Sequence, residues 1–203
     1  MTLDLEHAPM KERFEHLLKL MSGKRFLNRE GLGNEVPFFI CPFDPTETQE
    51  MIQLVKTLKS RLASTGIQVL EINLYDLVVE LLQETGDWDA LLEVEADTPK
   101  DAIKEQLQSL LEPQSHLIPA IARKMAVQEF QILFLTGVGE VFPYIRSHTV
   151  LNNLQSTAKD HPTVLFFPGT YTFSPERGSS LDLFGRLHDD RYYRAFNIYH
   201  CQI

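Results

Sequence analysis

QILFLTGVGEVFPYIRSHTVLNNL, residues 131–154, is the stretch whose reading decides the fold. The apolar run Ile132–Leu135 stops abruptly at Thr136-Gly137-Val138-Gly139, and an aromatic, proline-containing segment follows. A short unbroken apolar run bounded by turn residues reads as a strand buried on both faces. Glycines directly after such a strand mark the carboxyl edge of a parallel sheet, where α/β proteins collect their ligands. Arg146, Ser147 and His148 then lead into Val150-Leu151-Asn152-Asn153-Leu154, which has helical spacing. The stretch is therefore a strand-to-helix corner.

Working outward, three further strands of the same kind are expected at Val36–Cys41, Ile67–Ile72 and Thr163–Phe167, the last closed by Pro168-Gly169-Thr170-Tyr171. A terminal strand is expected at Ala195–Tyr199, after a Ser/Pro/Gly loop at 174–180. Phe14, Leu17, Leu18 and Met21 recur at helical spacing, so residues 10–21 form an amphipathic helix. Asp44, Pro45 and Glu47 have the spacing of a capped helix start and a capping box, and the helix carries Met51, Ile52, Val55, Leu58 and Leu62 on one side. Asn73 and Asp76 repeat the cap spacing. Helical patterns then follow one another over residues 74–128 and read as a helical insertion. The expectation is one α/β domain over residues 1–203, a mostly parallel sheet with helices on both faces.

Composition bounds the class. Two cysteines make no disulfide framework, and the N-terminus is charged throughout. No apolar run approaches the roughly 18 residues of a membrane span. These features predict a reduced, cytoplasmic protein that does not engage membranes. The net charge of −9 is not spread evenly: residues 1–66 carry nine acids and nine bases, residues 130–203 six of each, and residues 67–129 thirteen acids against four bases. Between Glu71 and Asp97 stand nine carboxylates and no Lys or Arg. That face is either solvated helix surface or a docking face for a basic partner. It repels phosphates, so direct nucleic-acid binding is not expected.

The pattern of strand, capped helix and later strands resembles a P-loop NTPase, RecA-like core, and the chemistry of that core can be tested residue by residue. A P-loop needs glycines whose backbone N–H groups surround phosphates and a lysine that neutralises them. After the first strand this chain has Cys41-Pro42-Phe43-Asp44-Pro45-Thr46-Glu47-Thr48, with neither glycine nor lysine and two carboxylates that repel phosphate. The third strand ends in Thr136 where a magnesium-binding Asp is needed. Any such core is degenerate and lacks the Walker motifs. Ser147 or Thr149 with His148 and Asp189 or Asp190 lacks the spacing of a nucleophilic triad, and no GxSxG elbow is present. His188-Asp189-Asp190 is the best oxygen-rich cluster and reads as a polar turn. No cofactor, metal or catalytic residue is assigned. The candidate binding residues are Arg146, His148, Asn152 and Asn153 at the corner, Gly169 and Tyr171 after the fourth strand, and Arg186, Asp189, Asp190, Tyr192, Tyr193 and Arg194 near the end. Arginine and tyrosine are enriched at interface hot spots.

The residues Arg29-Glu30-Gly31-Leu32-Gly33-Asn34-Glu35-Val36, Glu71-Ile72-Asn73-Leu74-Tyr75-Asp76 and Leu135-Thr136-Gly137-Val138-Gly139 through Leu154 resemble the BrxB family of bacteriophage-exclusion (BREX) systems. Phe167-Pro168-Gly169-Thr170-Tyr171, Leu183-Phe184-Gly185-Arg186-Leu187 and Asp190-Arg191-Tyr192-Tyr193-Arg194-Ala195-Phe196 complete the resemblance, which is loosest over 84–128. It implies an antiviral system that also contains a DNA methyltransferase, an AAA-type ATPase and a PglZ protein resembling the alkaline-phosphatase superfamily. The family brings no established enzymatic motif. The expected role is a non-enzymatic adaptor that binds PglZ or another BREX component, with Arg186, Tyr193 and Arg194 at the contact. The alternative is a nucleotide-responsive switch that binds without hydrolysis.

Overall fold

The structure, a computed structural model, describes residues 5–30, 37–174, 178–190 and 195–203. Its centre is a seven-stranded sheet in which β2 (Val69–Asn73), β3 (Ile132–Thr136), β4 (Thr163–Ser174), β1 (Phe38–Phe43) and β7 (Phe196–Asn197) lie side by side and parallel. From β1 the chain crosses to the far edge, returns through β2, β3 and β4, and passes to the other side of β1 as β7. β5 (Gly178–Leu183) and β6 (Leu187–Asp190) are added antiparallel to the distal half of β4.

The strands are buried on both faces, and their side chains divide by alternation. Phe38, Ile40, Leu133, Leu135, Leu165 and Phe167 point into one cluster, with residues from α4 (Leu74–Thr85), α7 (Ile118–Val127) and α8 (Ser147–Leu154). Phe39, Cys41, Ile132, Phe134, Val164 and Phe166 point into the other, against α1 (Met10–Met21), α2 (Lys24–Leu27) and α3 (Thr48–Ser64). Each of these large side chains contributes about 2 kcal/mol by burial, which fixes the register, since a one-residue slip would exchange the two sets. α5 (Asp87–Glu95), α6 (Lys100–Leu110) and a π-helical turn at Pro113–Leu117 complete the expected insertion between β2 and β3.

Asp44 and Asn73 cap as expected. Asp44 accepts the N–H of Thr46 at 2.8 Å, and Asn73 accepts those of Tyr75 at 2.9 Å and Asp76 at 3.3 Å. Glu47 does not close a capping box; its carboxylate accepts from Arg13 of α1 at 2.6 Å.

The C-terminal third differs most from the sequence expectation. β4 does not end at Phe167 but runs on to Ser174, because Gly169 to Ser174 pair with Leu183 to Gly178. Pro168 is tolerated inside the strand because Phe43, the last residue of β1, is opposed there by both Pro168 and Gly169, a bulge at which the β1 pairing ends. The presumed loop at 174–180 thus contributes the start of β5, with residues 175–177 outside the described set. His188-Asp189-Asp190 is part of β6 rather than a polar turn, with Asp189 opposite Leu181 and Asp190 opposite Ser180. The terminal strand is only Phe196–Asn197; the Asn197 side chain accepts from the N–H of Tyr199 at 3.0 Å and starts a 3-10 turn, Ile198–His200. No helix among the described residues is long and apolar enough to cross a membrane.

Candidate functional site at the carboxyl edge of the sheet

Two adjoining clefts open at the carboxyl ends of the parallel strands, and Phe43 and Phe184 line both. The first, of about 450 Å³, lies between α3, the loop after β3, and the β5–β6 turn. Met51, Ile52 and Val55 of α3 form one wall, and Val138, Pro168 and Phe184 form the other. Polar groups sit where β2 and β3 end. Glu71 accepts from Lys59 Nζ at 2.6 Å with one carboxylate oxygen and from Thr136 Oγ1 at 3.1 Å with the other. An apolar cleft with a few convergent polar groups at this edge is the usual place for a ligand in an α/β sheet.

The glycines of the opening stretch have packing reasons. Gly137 has φ 72°, and a Cβ there would collide with the side-chain amide of Asn73, the cap of α4. A Cβ on Gly139 would lie 3.0 Å from the Phe184 ring and from Pro168. Phe184 itself holds a left-handed φ of 56° in the turn joining β5 to β6 and is 39 % exposed. A non-glycine residue in that region is uncommon and costs of order 1 kcal/mol. Its ring links the β5–β6 turn to the loop after β3.

The second cleft, of about 840 Å³, is more polar, with Glu6, His7, Asp44, Thr46, Glu47, Gly169 and Arg186 among its lining residues. It opens beside the loop after β1, where both donors of Thr46 are already engaged. Asp44 accepts from both the N–H and the hydroxyl of Thr46, and these bonds hold its carboxyl below the usual range. Beneath the loop Arg13 is 1 % exposed. It donates to Glu47 at 2.6 Å, to the Tyr199 hydroxyl at 3.1 Å and to the Pro42 carbonyl at 3.5 Å. Burial opposes the charge on Arg13, but Tyr199 and then Glu47 outweigh it and keep the guanidinium ionised. The Cys41 thiol lies 3.2 Å from the same hydroxyl, and burial pushes its pKa up to about 12. Such a thiol is not a nucleophile at neutral pH.

The candidate residues from the sequence do not form one cluster. Gly169 and Arg186 share the second cleft. Tyr171 is buried and donates its hydroxyl proton to the Ala195 carbonyl at 2.6 Å, tying β4 to the last segment of the chain. His148 is buried in α8 with Nε2 3.0 Å from Thr149 Oγ1, and Asn153 donates to the Thr149 carbonyl at 2.8 Å. Those two secure the corner, while Arg146 and Asn152 are exposed beside it. None of the four α8-corner residues lines either cleft. Asp189 and Asp190 are placed on β6 by their backbone, and Tyr192, Tyr193 and Arg194 lie outside the described residues. Sequence reasoning missed Arg13, which sits at an ordinary polar-looking position of an amphipathic helix. It also missed the Glu71–Thr136 pair, for which a carboxylate inside an apolar strand was the available signal.

Comparison with known proteins agrees with the residues quoted at the outset. A BREX protein BrxB from Bacillus cereus (strain H3081.97) is 36% identical over 193 residues, covering 93% of this chain and 97% of its own length. A second BREX protein BrxB, from Escherichia coli O9:H4 (strain HS), is 25% identical over 189 residues, covering 93% of this chain and 91% of its own. No solved structure matches the chain significantly. The family model described as BREX protein BrxB matches residues 70–198, from β2 through β7, and with these relatives it places this chain in the BrxB family of BREX proteins.

Proposed function

We propose that this chain is a non-catalytic adaptor of a BREX anti-phage system, built on a degenerate P-loop-like core, and that it binds another component of that system. A PglZ-type protein of the alkaline-phosphatase superfamily is the first choice of partner. The observation that carries this reading is the loop after β1. Where nucleotide phosphates would need free N–H donors and a lysine, Asp44 takes the Thr46 N–H, and Arg13 is committed to Glu47, Tyr199 and Pro42. The strand order β2-β3-β4-β1-β7, with the first strand between the fourth parallel strand and the last, supports descent from a RecA-like core that has given up its phosphate site. In its place the chain offers surface: Phe173 is 66 % exposed on the β4–β5 hairpin, and Phe184 and Arg186 stand at the β5–β6 turn.

Co-expression with an affinity-tagged PglZ-type protein of the same system tests the proposal. A stable complex is expected, weakened by Phe184→Ser with Arg186→Glu and not by changing Lys100, which is on α6 of the helical insertion. Failure of this chain to co-purify with any BREX component would reject it. The position of the two clefts favours a second reading, a switch that binds nucleotide without hydrolysis. Calorimetry with ATP, GTP and cyclic nucleotides discriminates, since the adaptor reading expects no heat of binding from any of them.

A further inference from the structure

A third pocket, of about 160 Å³, shares no lining residue with the two clefts. It opens between the end of α1, the short helix α2 and the amino end of β1, and Cys201 and Ile203 complete its wall. Leu20, Phe26 and Phe39 form its floor and are buried, and the rings of Phe26 and Phe39 meet with centroids 4.8 Å apart. An apolar cavity of roughly 150 Å³ is enough to hold one benzene ring. This pocket is therefore sized for a single phenyl side chain, set against an aromatic pair.

The rim adds charge. Between His16 and Arg29 the chain has four bases, Lys19, Lys24, Arg25 and Arg29, and no acid, in a protein whose net charge is −9. Of these, Lys19, Arg25 and Arg29 line the pocket. Arg29 is already used: it donates to the Lys159 carbonyl at 2.9 Å and lies 3.5 Å from the Asp160 carboxylate. Glu30, the acid at the rim, accepts from Asn28 at 3.0 Å. The Lys19 and Arg25 side chains are exposed, and among the described residues no ion pair or hydrogen bond engages either one. A ring that fills the pocket leaves these two cations outside it, so the carboxylates that match them belong on the residues flanking the ring. A nucleobase would instead press ring nitrogens and exocyclic groups onto a floor of leucine and phenylalanine that offers them no partner.

We infer that this pocket is a docking site for an acidic segment of a protein partner, anchored by one phenylalanine. The inference rests on the adaptor reading in taking the ligand to be a protein, and it puts this contact apart from the β5–β6 turn.

The probe is a short fluorescein-labelled peptide with one phenylalanine among aspartates and glutamates, its anisotropy titrated with the full chain. Binding is expected, with amide shifts in the NMR spectrum at Gly23, Phe26 and Cys201. Replacing the peptide's phenylalanine by alanine should weaken binding about tenfold, the effect of removing a central anchor. Lys19→Glu/Arg25→Glu, at exposed positions, should weaken it about tenfold as well. Lys100→Glu/Lys104→Glu on α6 alters the net charge equally and should leave binding unchanged. No binding, equal binding of the alanine peptide, equal losses from the two charge variants, or tighter binding of single-stranded DNA of the same charge would each overturn the inference. The two readings fail differently. Peptide binding as described, without a complex with any BREX component, removes the adaptor reading and leaves this pocket; a PglZ-type complex without selective peptide binding does the reverse.

Discussion

At the scale of single residues, Arg13 shows what a buried charge needs. A guanidinium 1 % exposed is tolerated because a carboxylate, a hydroxyl and a carbonyl receive its donors and the Tyr199 ring lies 5.5 Å from its centre. Removing the guanidinium strips the buried Tyr199 hydroxyl and Pro42 carbonyl of a donor, while Glu47, 40 % exposed at its side chain, is left to solvent. Arg13→Met is expected to lower unfolding stability by about 3 kcal/mol in urea denaturation, and Arg13→Lys to recover only part, since an ammonium lacks the planar fork. Cys41 gives a second expectation. With its pKa raised to about 12 by burial, and that of Cys201 to about 11 by the same cause, neither thiol should react with Ellman's reagent at neutral pH until the chain is unfolded. Prompt labelling of Cys41 in the folded protein would contradict the packing around Tyr199. Burial also lowers the pKa of His16 and His161 below the ordinary 6.5. The unfolded chain therefore takes up these protons first, so their effect is to reduce stability as pH falls below about 6.5, levelling off beneath the folded pKa values. The thermal midpoint should drop between about pH 7.5 and about pH 5.5, and His16→Gln/His161→Gln should flatten that part of the profile.

Among elements, the antiparallel extension of β4 is what the sequence concealed. Pro168-Gly169 has the composition of a terminator, yet β1 ends at Phe43 directly opposite, so the missing N–H of Pro168 breaks no long ladder. Gly169 serves close approach: with φ 154°, any Cβ would strike the carbonyl oxygen of Asp182 across the hairpin. Gly169→Ala should cost about 2 kcal/mol or more and loosen the β4–β5 pairing, visible as faster amide exchange at Thr170 and Tyr171. The alternation of buried Tyr171 with exposed Thr170 and Thr172 was a strand signal, outweighed in reading by the two residues before it. By contrast β1, β2 and β3 were legible because both-face burial writes an unbroken apolar run, and the helix starts at Asp44 and Asn73 were legible because capping is local chemistry. The pairing of Glu47 with Arg13 was not. It joins residues 34 apart in sequence, and nothing near either one announces it.

For the molecule as a whole, the layered sheet and the uneven charge belong to one description. The carboxyl edge of the sheet has the clefts of an α/β protein, and the loop after β1 is held by hydrogen bonds within the chain itself. The acidic excess read from residues 67–129 is the helical layer between β2 and β3, farthest from a phosphate-binding role. Sequence alone reached the sheet, the insertion and the family resemblance. It could not show that the corner residue His148 is buried and that Asn153 bonds within its own helix, or that Arg186 and the glycine corner belong to neighbouring clefts. These depend on which elements meet in space.

The central claim is assembly without nucleotide chemistry. Its most direct test is sedimentation velocity of this chain mixed in equal amounts with a purified PglZ-type protein of the same BREX system, at micromolar concentration and without nucleotide. The account predicts one faster boundary containing both proteins, unchanged by added ATP. Two independent boundaries at every ratio, or a joint boundary that forms only when ATP is present, would contradict it.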